Sequence, residues 1–499
     1  MDLKVEPREK IADLVKQSAV YGVGALATQL AGFFLLPILT RVLTTEQYGV
    51  VFIAEMLGLL MFVVSELGLT SAFFRFYADE TEDLAKRSLV FSIFNFLVLE
   101  CVAVTVACLF LSGPLSRFLF GSQVWQTAFV LVCVTNLLAV LSRMPLDLLR
   151  MNRRAALFVF ISCCRLVATF LVSFYLVVYA KRGVLGVLEG TLVGTGVGFV
   201  MLAPVVLRLW RPAMDLSIVR RALKFGVFLV PAGLSVWALN QSDRYLLERF
   251  GSLSMVAIYG VGFKFASVVN VFLVTPFLTA WTPFMFRVSA QEDARTLYAR
   301  VLTYFVLASV GALVILSSTI GEITRFVAGA SYANAAPVVP FVASGFILYG
   351  VASIIVVGVY LREKTYHVTL AMALATAVKV VLSILLIPVM GVLGVALATV
   401  IAFGAVVGYF LLALQNLFPI VYELVRILKI VIAGVISFFL VSMIPLSGLD
   451  GLLAKAAGSL VFVLILWLFR FPSNDEKARI ARYLDWMRAK LLGLLRGRD

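Results

Sequence analysis

Along the 499 residues, apolar runs of about twenty residues return with only short polar breaks between them, the length a helix needs to cross a hydrocarbon core. Fourteen such runs are predicted as helices, over 18–39, 49–70, 88–112, 124–142, 157–179, 185–207, 225–247, 257–282, 301–320, 337–361, 368–390, 392–415, 428–446 and 456–471. Composition agrees: 62% of residues are apolar and 14% charged, where a soluble domain holds roughly half and a quarter. The chain is expected to be an all-α polytopic membrane protein without a sizeable domain outside the bilayer. The first run is expected to stay as a helix, because seventeen residues of mixed charge precede it and no small-residue cleavage site follows.

The formal charge of +15 would suggest nucleic acid in a soluble protein. In a membrane protein the basic residues face anionic lipid instead, so no nucleic-acid partner is expected. With the N-terminus inside, 31 lysines and arginines fall in cytoplasmic segments and seven on the other side. Both termini are therefore expected in the cytoplasm. Four more bases, Arg165, Arg244, Lys264 and Lys379, fall inside predicted spans, and Lys429 and Arg470, at span ends, are counted with the cytoplasmic segments. The five cysteines, Cys101, Cys108, Cys133, Cys163 and Cys164, lie in apolar runs without metal-ligand spacing and are expected to be reduced packing residues.

An internal repeat organises the chain. Tyr48-Gly49-Val50 opens the second run and Tyr259-Gly260-Val261 the eighth, 211 residues on; Arg117-Phe118 returns as Arg325-Phe326 after 208. Gly183-Val184-Leu185-Gly186-Val187 returns unchanged as Gly391-Val392-Leu393-Gly394-Val395, also after 208 residues. A period of six helices keeps both copies in the same orientation. The expected layout is a cytoplasmic segment over 1–17, a six-helix lobe over 18–207 and a cytoplasmic linker over 208–224. A second six-helix lobe over 225–415, a helix pair over 416–471 and a basic amphipathic tail over 472–499 complete it. In the tail, Ile480, Leu484, Met487, Leu491 and Leu494 recur at helical spacing opposite Lys477, Arg488, Lys490 and Arg498, as in an interfacial helix.

Catalytic chemistry is sparse. No Gly-Lys pair occurs, which excludes a P-loop, and no Gly-x-Gly-x-x-Gly opens a helix after a strand. The single histidine, His367, sits in a polar turn. Glycan polymerases and ligases use large outer loops, whereas here no outer connection exceeds about 16 residues. Neither enzyme activity nor a cofactor or metal is expected.

Charged residues within the spans are therefore the candidate site, since charge in hydrocarbon must be paired, hydrated or put to use. Glu55 and Glu66, eleven residues apart, are expected on one water-facing side of their helix. Glu100 and Arg165 lie at depths that suit a structural pair. Lys379 has no evident partner in the second lobe and is the stronger anion-site candidate. Glu55 and Lys264 lie ~9 Å and ~10 Å from the outer ends of equivalent helices in the two copies and are placed to pair. Asp243, Arg244, Asn240 and Gln241 reach nearly the same level, and together these residues suggest a polar outer gate or a coupling site. Pro37, Pro231 and Pro276 interrupt helices where bends would serve gating or packing.

Two stretches carry a family resemblance. Leu39-Thr40-Arg41-Val42-Leu43-Thr44-Thr45-Glu46-Gln47-Tyr48-Gly49, and Ser242-Asp243-Arg244-Tyr245-Leu246-Leu247 with Ala257-Ile258-Tyr259-Gly260, resemble the polysaccharide branch of the multidrug/oligosaccharidyl-lipid/polysaccharide exporter superfamily. The similarity spans roughly residues 15 to 415. It implies a Wzx-type flippase of a bacterial inner membrane, moving an undecaprenyl-diphosphate-linked oligosaccharide for capsule, exopolysaccharide or O-antigen assembly. Polysaccharide assembly proteins would be its partners. On that reading Lys379, Lys264, Arg244, Arg41, Arg75 and Arg287 are the bases placed to meet the diphosphate. Two alternatives share the fold: a lipid II-type precursor flippase and a cation-coupled drug exporter.

Overall fold

In a computed structural model the described residues are 33–120, 122–152, 154–209, 214–289, 291–362, 364, 366–414, 418–472 and 476–477. Among them all regular structure is helical. Twelve helices are long and apolar enough to cross a bilayer, and a bent pair makes thirteen. In chain order they are α1 (Thr45–Glu66), α2 (Asp83–Phe110), α3 (Gln123–Met151), α4 (Ala156–Tyr179) and α5 (Gly183–Leu207). Next is α6, in which Leu216–Leu229 and Gly233–Phe250 meet at 45°. The rest are α7 (Leu253–Val288), α8 (Ala294–Val327), α9 (Ala330–Leu361), α10 (Tyr366–Met390), α11 (Val392–Leu412), α12 (Leu424–Ser442) and α13 (Gly448–Leu468). The protein is an all-helical polytopic membrane protein. The expected run over 18–39 lies outside the described residues except for its end, a helix at Phe33–Val42. Of the expected amphipathic tail only Glu476 and Lys477 are described.

Two compact units emerge from the packing. Unit 1 runs to Ala266 and takes in Val327–Val342 and Thr365–Val406; unit 2 holds Ser267–Phe326, Ala343–Lys364 and the chain from Val407 onward.

In unit 1, local chemistry explains the helix starts. Thr44 and Gln47 form a capping box at the head of α1: the Gln47 amide donates to the Thr44 hydroxyl at 3.2 Å, and the Thr44 amide donates to the Gln47 side chain at 3.2 Å. Two amides with no partner inside the helix are thus satisfied. The repeated Gly-Val-Leu-Gly-Val has the same task in both copies. Gly183, the first residue of α5, and Gly391, just before α11, take left-handed φ values of 57° and 56°, a conformation that costs glycine little.

The repeated Tyr-Gly pair marks a helix crossing. A Cβ on Gly49 of α1 would lie 2.1 Å from the Leu253 carbonyl oxygen, and one on Gly260 of α7 would lie 2.5 Å from the Phe52 ring. Each copy's glycine therefore admits the other copy's helix. Beyond the far end of α1 a short helix, Leu69–Asp79, meets the first part of α6, Leu216–Gly226, through reciprocal cation–π contacts. Arg221 lies over the Phe76 ring at 4.2 Å and Arg75 over the Phe225 ring at 5.2 Å. Asp215 caps that helix by accepting from the Ser217 amide at 2.8 Å.

The bend in α6 coincides with Pro231, and in α7 a π-helical turn, Asn270–Val274, ends two residues before Pro276. In both places the missing proline N–H loosens the backbone ladder. Unit 2 holds a polar lock of its own. Arg426 bonds Glu476 at 2.8 Å and Glu423 at 3.1 Å, Thr303 donates to Glu423 at 2.7 Å, and Lys455 bonds Glu322 at 2.6 Å.

Candidate functional site

Within unit 1 a cavity of about 310 Å³ is lined from the helix Phe33–Val42 and from α1, α3, α4, α5 and α7. Its polar lining consists of Glu55, Lys264, Arg165 and the hydroxyls of Ser142, Ser162, Thr169 and Thr191, set among leucines, Ile161 and Phe170. Three of the hydroxyls spend their protons on their own helices: Ser142 donates to Leu138 O at 2.6 Å, Ser162 to Phe158 O at 2.8 Å and Thr191 to Val187 O at 2.9 Å. Their lone pairs remain to accept from a hydroxyl-rich guest.

Lys264 comes to this cavity from α7 and Glu55 from α1, with Nζ 3.6 Å from Oε1. The ammonium also donates to the Tyr48 hydroxyl at 3.5 Å and stands over the Phe52 ring at 4.8 Å. Lys264 is 19% exposed and Glu55 47%. The contact is long and its acid half-hydrated, so the pair can part at low cost. Arg165 enters from α4. A Cβ on Gly198 of α5 would lie 3.5 Å from the arginine's Cβ and Cδ, so the bare helix surface there seats the arginine stem.

A second polar cluster is sealed off. Lys379 of α10 donates to Asp243 Oδ2 of α6 at 2.8 Å and to the Leu239 carbonyl, and the Tyr259 hydroxyl donates to the same carboxylate oxygen at 2.5 Å. The side chains of Lys379 and Asp243 are 2% and 0% exposed. Two sequence expectations change here. Lys379 is not without a partner, and it is not among the residues that line the cavity. The cause is geometric: α10 packs against α6, which brings Lys379 onto Asp243.

The expected pairing of Glu100 with Arg165 is also corrected. Glu100 accepts from the Cys101 thiol at 3.2 Å, and among the described residues no ion pair joins it to Arg165. Arg244 is buried over the Phe52 and Phe263 rings and donates to Gln241. Asn240 donates to Val236 O on its own helix. Arg41 and Arg287 are exposed, Arg75 is taken up by Phe225, and Glu66 sits half-buried in the last turn of α1. None of these seven residues lines the cavity. Arg165, which sequence reasoning assigned to a structural pair, is a base of the cavity, and the four hydroxyls went unnamed. Their signal was weak, because serines and threonines inside apolar helices ordinarily bond their own backbone.

Among the described residues no cluster of three or more His, Cys, Asp or Glu could hold a metal ion. A family model described as polysaccharide biosynthesis protein matches residues 14–289, more than half of the chain. The chain belongs to the polysaccharide biosynthesis protein family. That is a family of membrane transporters rather than enzymes. No curated protein matches this sequence. Among solved structures this family member resembles the lipid II flippase MurJ in an inward closed conformation, with a TM-score of 0.72 and 16% identity over 91% of this chain and 98% of that one. An inward-facing multidrug resistance MATE family transporter of the MOP superfamily gives a TM-score of 0.60 at 15% identity, over 79% and 94% of the two chains. A mutant of the Vibrio cholerae MATE transporter VcmN gives 0.52 at 16% identity, over 81% and 98%. At such identities the likeness is one of fold.

Proposed function

We propose that this chain is a flippase that carries an undecaprenyl-diphosphate-linked oligosaccharide from the cytoplasmic to the outer leaflet of a bacterial inner membrane by alternating access. Fourteen spans in two six-helix lobes, over 18–207 and 225–415, with a trailing helix pair and both termini in the cytoplasm, complete the reading. The observation that carries it is the cavity in unit 1, where Lys264 and Arg165 offer positive charge among hydroxyls that can accept from sugar. A diphosphate answers the two bases, the glycan occupies the polar lining, and the polyprenyl tail stays in lipid. Anionic lipids meet the basic cytoplasmic face, and polysaccharide assembly proteins receive the product.

Deletion of the gene tests the proposal. The expected result is a lipid-linked sugar repeat trapped in the cytoplasmic leaflet; loss of resistance to organic cations without such a repeat would reverse it in favour of drug export. Against that rival, the buried acid Asp243 is already neutralised by Lys379 and so is poorly placed to take a coupling cation. The lipid II reading draws on the likeness to MurJ over 91% of this chain. Accumulation of peptidoglycan precursor rather than a polysaccharide repeat would select it.

A further inference from the structure

Among the described residues, those lining the cavity of unit 1 include two cations, Lys264 and Arg165, and one anion, Glu55. Lys264 has Glu55 within 3.6 Å. Arg165 has no acid: Glu100, at a comparable depth in the sequence, is turned to Cys101, and no described residue forms an ion pair or hydrogen bond with the guanidinium. A guanidinium cannot escape its charge by losing a proton. In a cavity walled largely by leucine, isoleucine and phenylalanine, an unanswered cation is costly until a ligand supplies the counter-charge.

We propose that Arg165 is the standing half of a diphosphate-binding site and that Glu55 is a built-in competitor, which holds Lys264 in the empty cavity and yields it when the ligand's diphosphate arrives. This deepens the flippase reading and rests on it for the lipid-linked nature of the ligand. Three features of the cavity support the exchange. Arg165 offers a planar fork of donors suited to phosphate oxygens. Its stem lies along the bare surface of α5 at Gly198, which directs the head into the cavity. Glu55 is 47% exposed, so after release it finds water and need not be buried alone. A diphosphate brings at least two negative charges where Glu55 brings one, so exchange also cancels the charge left over at Arg165.

The test uses the full chain reconstituted in lipid nanodiscs, with farnesyl diphosphate as the probe and inorganic pyrophosphate and farnesol as separate arms. Arg165→Gln is expected to weaken farnesyl diphosphate binding by about tenfold or more, the range of a lost hydrogen bond to a charged group. Arg165→Lys should bind with intermediate affinity, and Glu55→Gln should bind more tightly than the wild type. Thermal unfolding of each variant separates lost binding from lost folding. Undiminished binding by a folded Arg165→Gln, or weaker binding by Glu55→Gln, would overturn the proposal. Equal affinity for inorganic pyrophosphate would overturn its lipid-linked part, and equal affinity for farnesol would overturn the anion site.

Failure of this inference is distinct from failure of the flippase reading. If a lipid-linked repeat accumulates on deletion while Arg165→Gln binds farnesyl diphosphate normally, only the assignment of Arg165 falls. If binding follows Arg165 and no repeat accumulates, the diphosphate site stands and the flippase reading falls.

Discussion

At Asp243 one carboxylate oxygen receives both the Tyr259 hydroxyl and the Lys379 ammonium, while the other has no hydrogen-bond partner among the described residues. The cluster is nearly dry, so removing one charge strands the other. Lys379→Met is expected to destabilise the protein by about 3–5 kcal/mol, seen as a lower unfolding temperature in detergent. Adding Asp243→Asn should restore much of the loss, and an unchanged unfolding temperature in Lys379→Met would contradict the buried pair. The Glu55–Lys264 contact is longer and wetter, so its loss should cost about 1 kcal/mol or less in stability and appear in transport instead. Exchanging the charges, Glu55→Lys with Lys264→Glu, is expected to recover part of the flipping lost by either single change, measured with a lipid-linked repeat in vesicles. Sequence depth placed Glu55 and Lys264 near the same level because their helices are repeat equivalents. It could not place Lys379 or Arg165, whose partners depend on how each helix is rotated and tilted against its neighbours.

Helix by helix, the motifs that carried the family resemblance prove to be folding instructions. Thr44 and Gln47 start α1, and Tyr48-Gly49 is where α1 passes α7. Thr44→Ala should cost about 1 kcal/mol through loss of the cap. At Gly49 a Cβ would sit 2.1 Å from a backbone oxygen, which cannot move aside as a side-chain tip can. Gly49→Ala is therefore expected to cost about 1–3 kcal/mol. Gly404 in α11, with nothing within 4 Å of its virtual Cβ, supplies the control, and Gly404→Ala should unfold at the wild-type temperature or slightly above. Equal behaviour of the two alanine variants would count against the close crossing. Tyr48 and Tyr259 were legible as repeat partners; their separate tasks, one on Lys264 and one on Asp243, were not.

For the whole molecule, the bias of 31 basic residues against seven makes a definite claim about sidedness. In a background without the five native cysteines, Arg154→Cys and Lys364→Cys should react with a membrane-impermeant thiol reagent only after the cytoplasmic face is opened. Arg117→Cys and Arg325→Cys, the repeat-related pair, should react from outside in intact spheroplasts. Labelling of Arg117→Cys and Arg325→Cys from opposite faces would break the proposed even-numbered repeat.

The positions of the spans, the duplicated motifs and the scarcity of catalytic chemistry could be taken from the sequence alone. Each depends on local composition or on spacing along one chain, and a bilayer converts apolar length directly into helix. Which buried charges meet was decided only by tertiary structure. The packing of α10 against α6 set Asp243 beside Lys379, and a glycine-bearing face of α5 seats Arg165 at the cavity. Axial rotation and crossing angle of neighbouring helices carry no mark in hydropathy. They are settled by side chains fitting across interfaces between segments far apart in sequence.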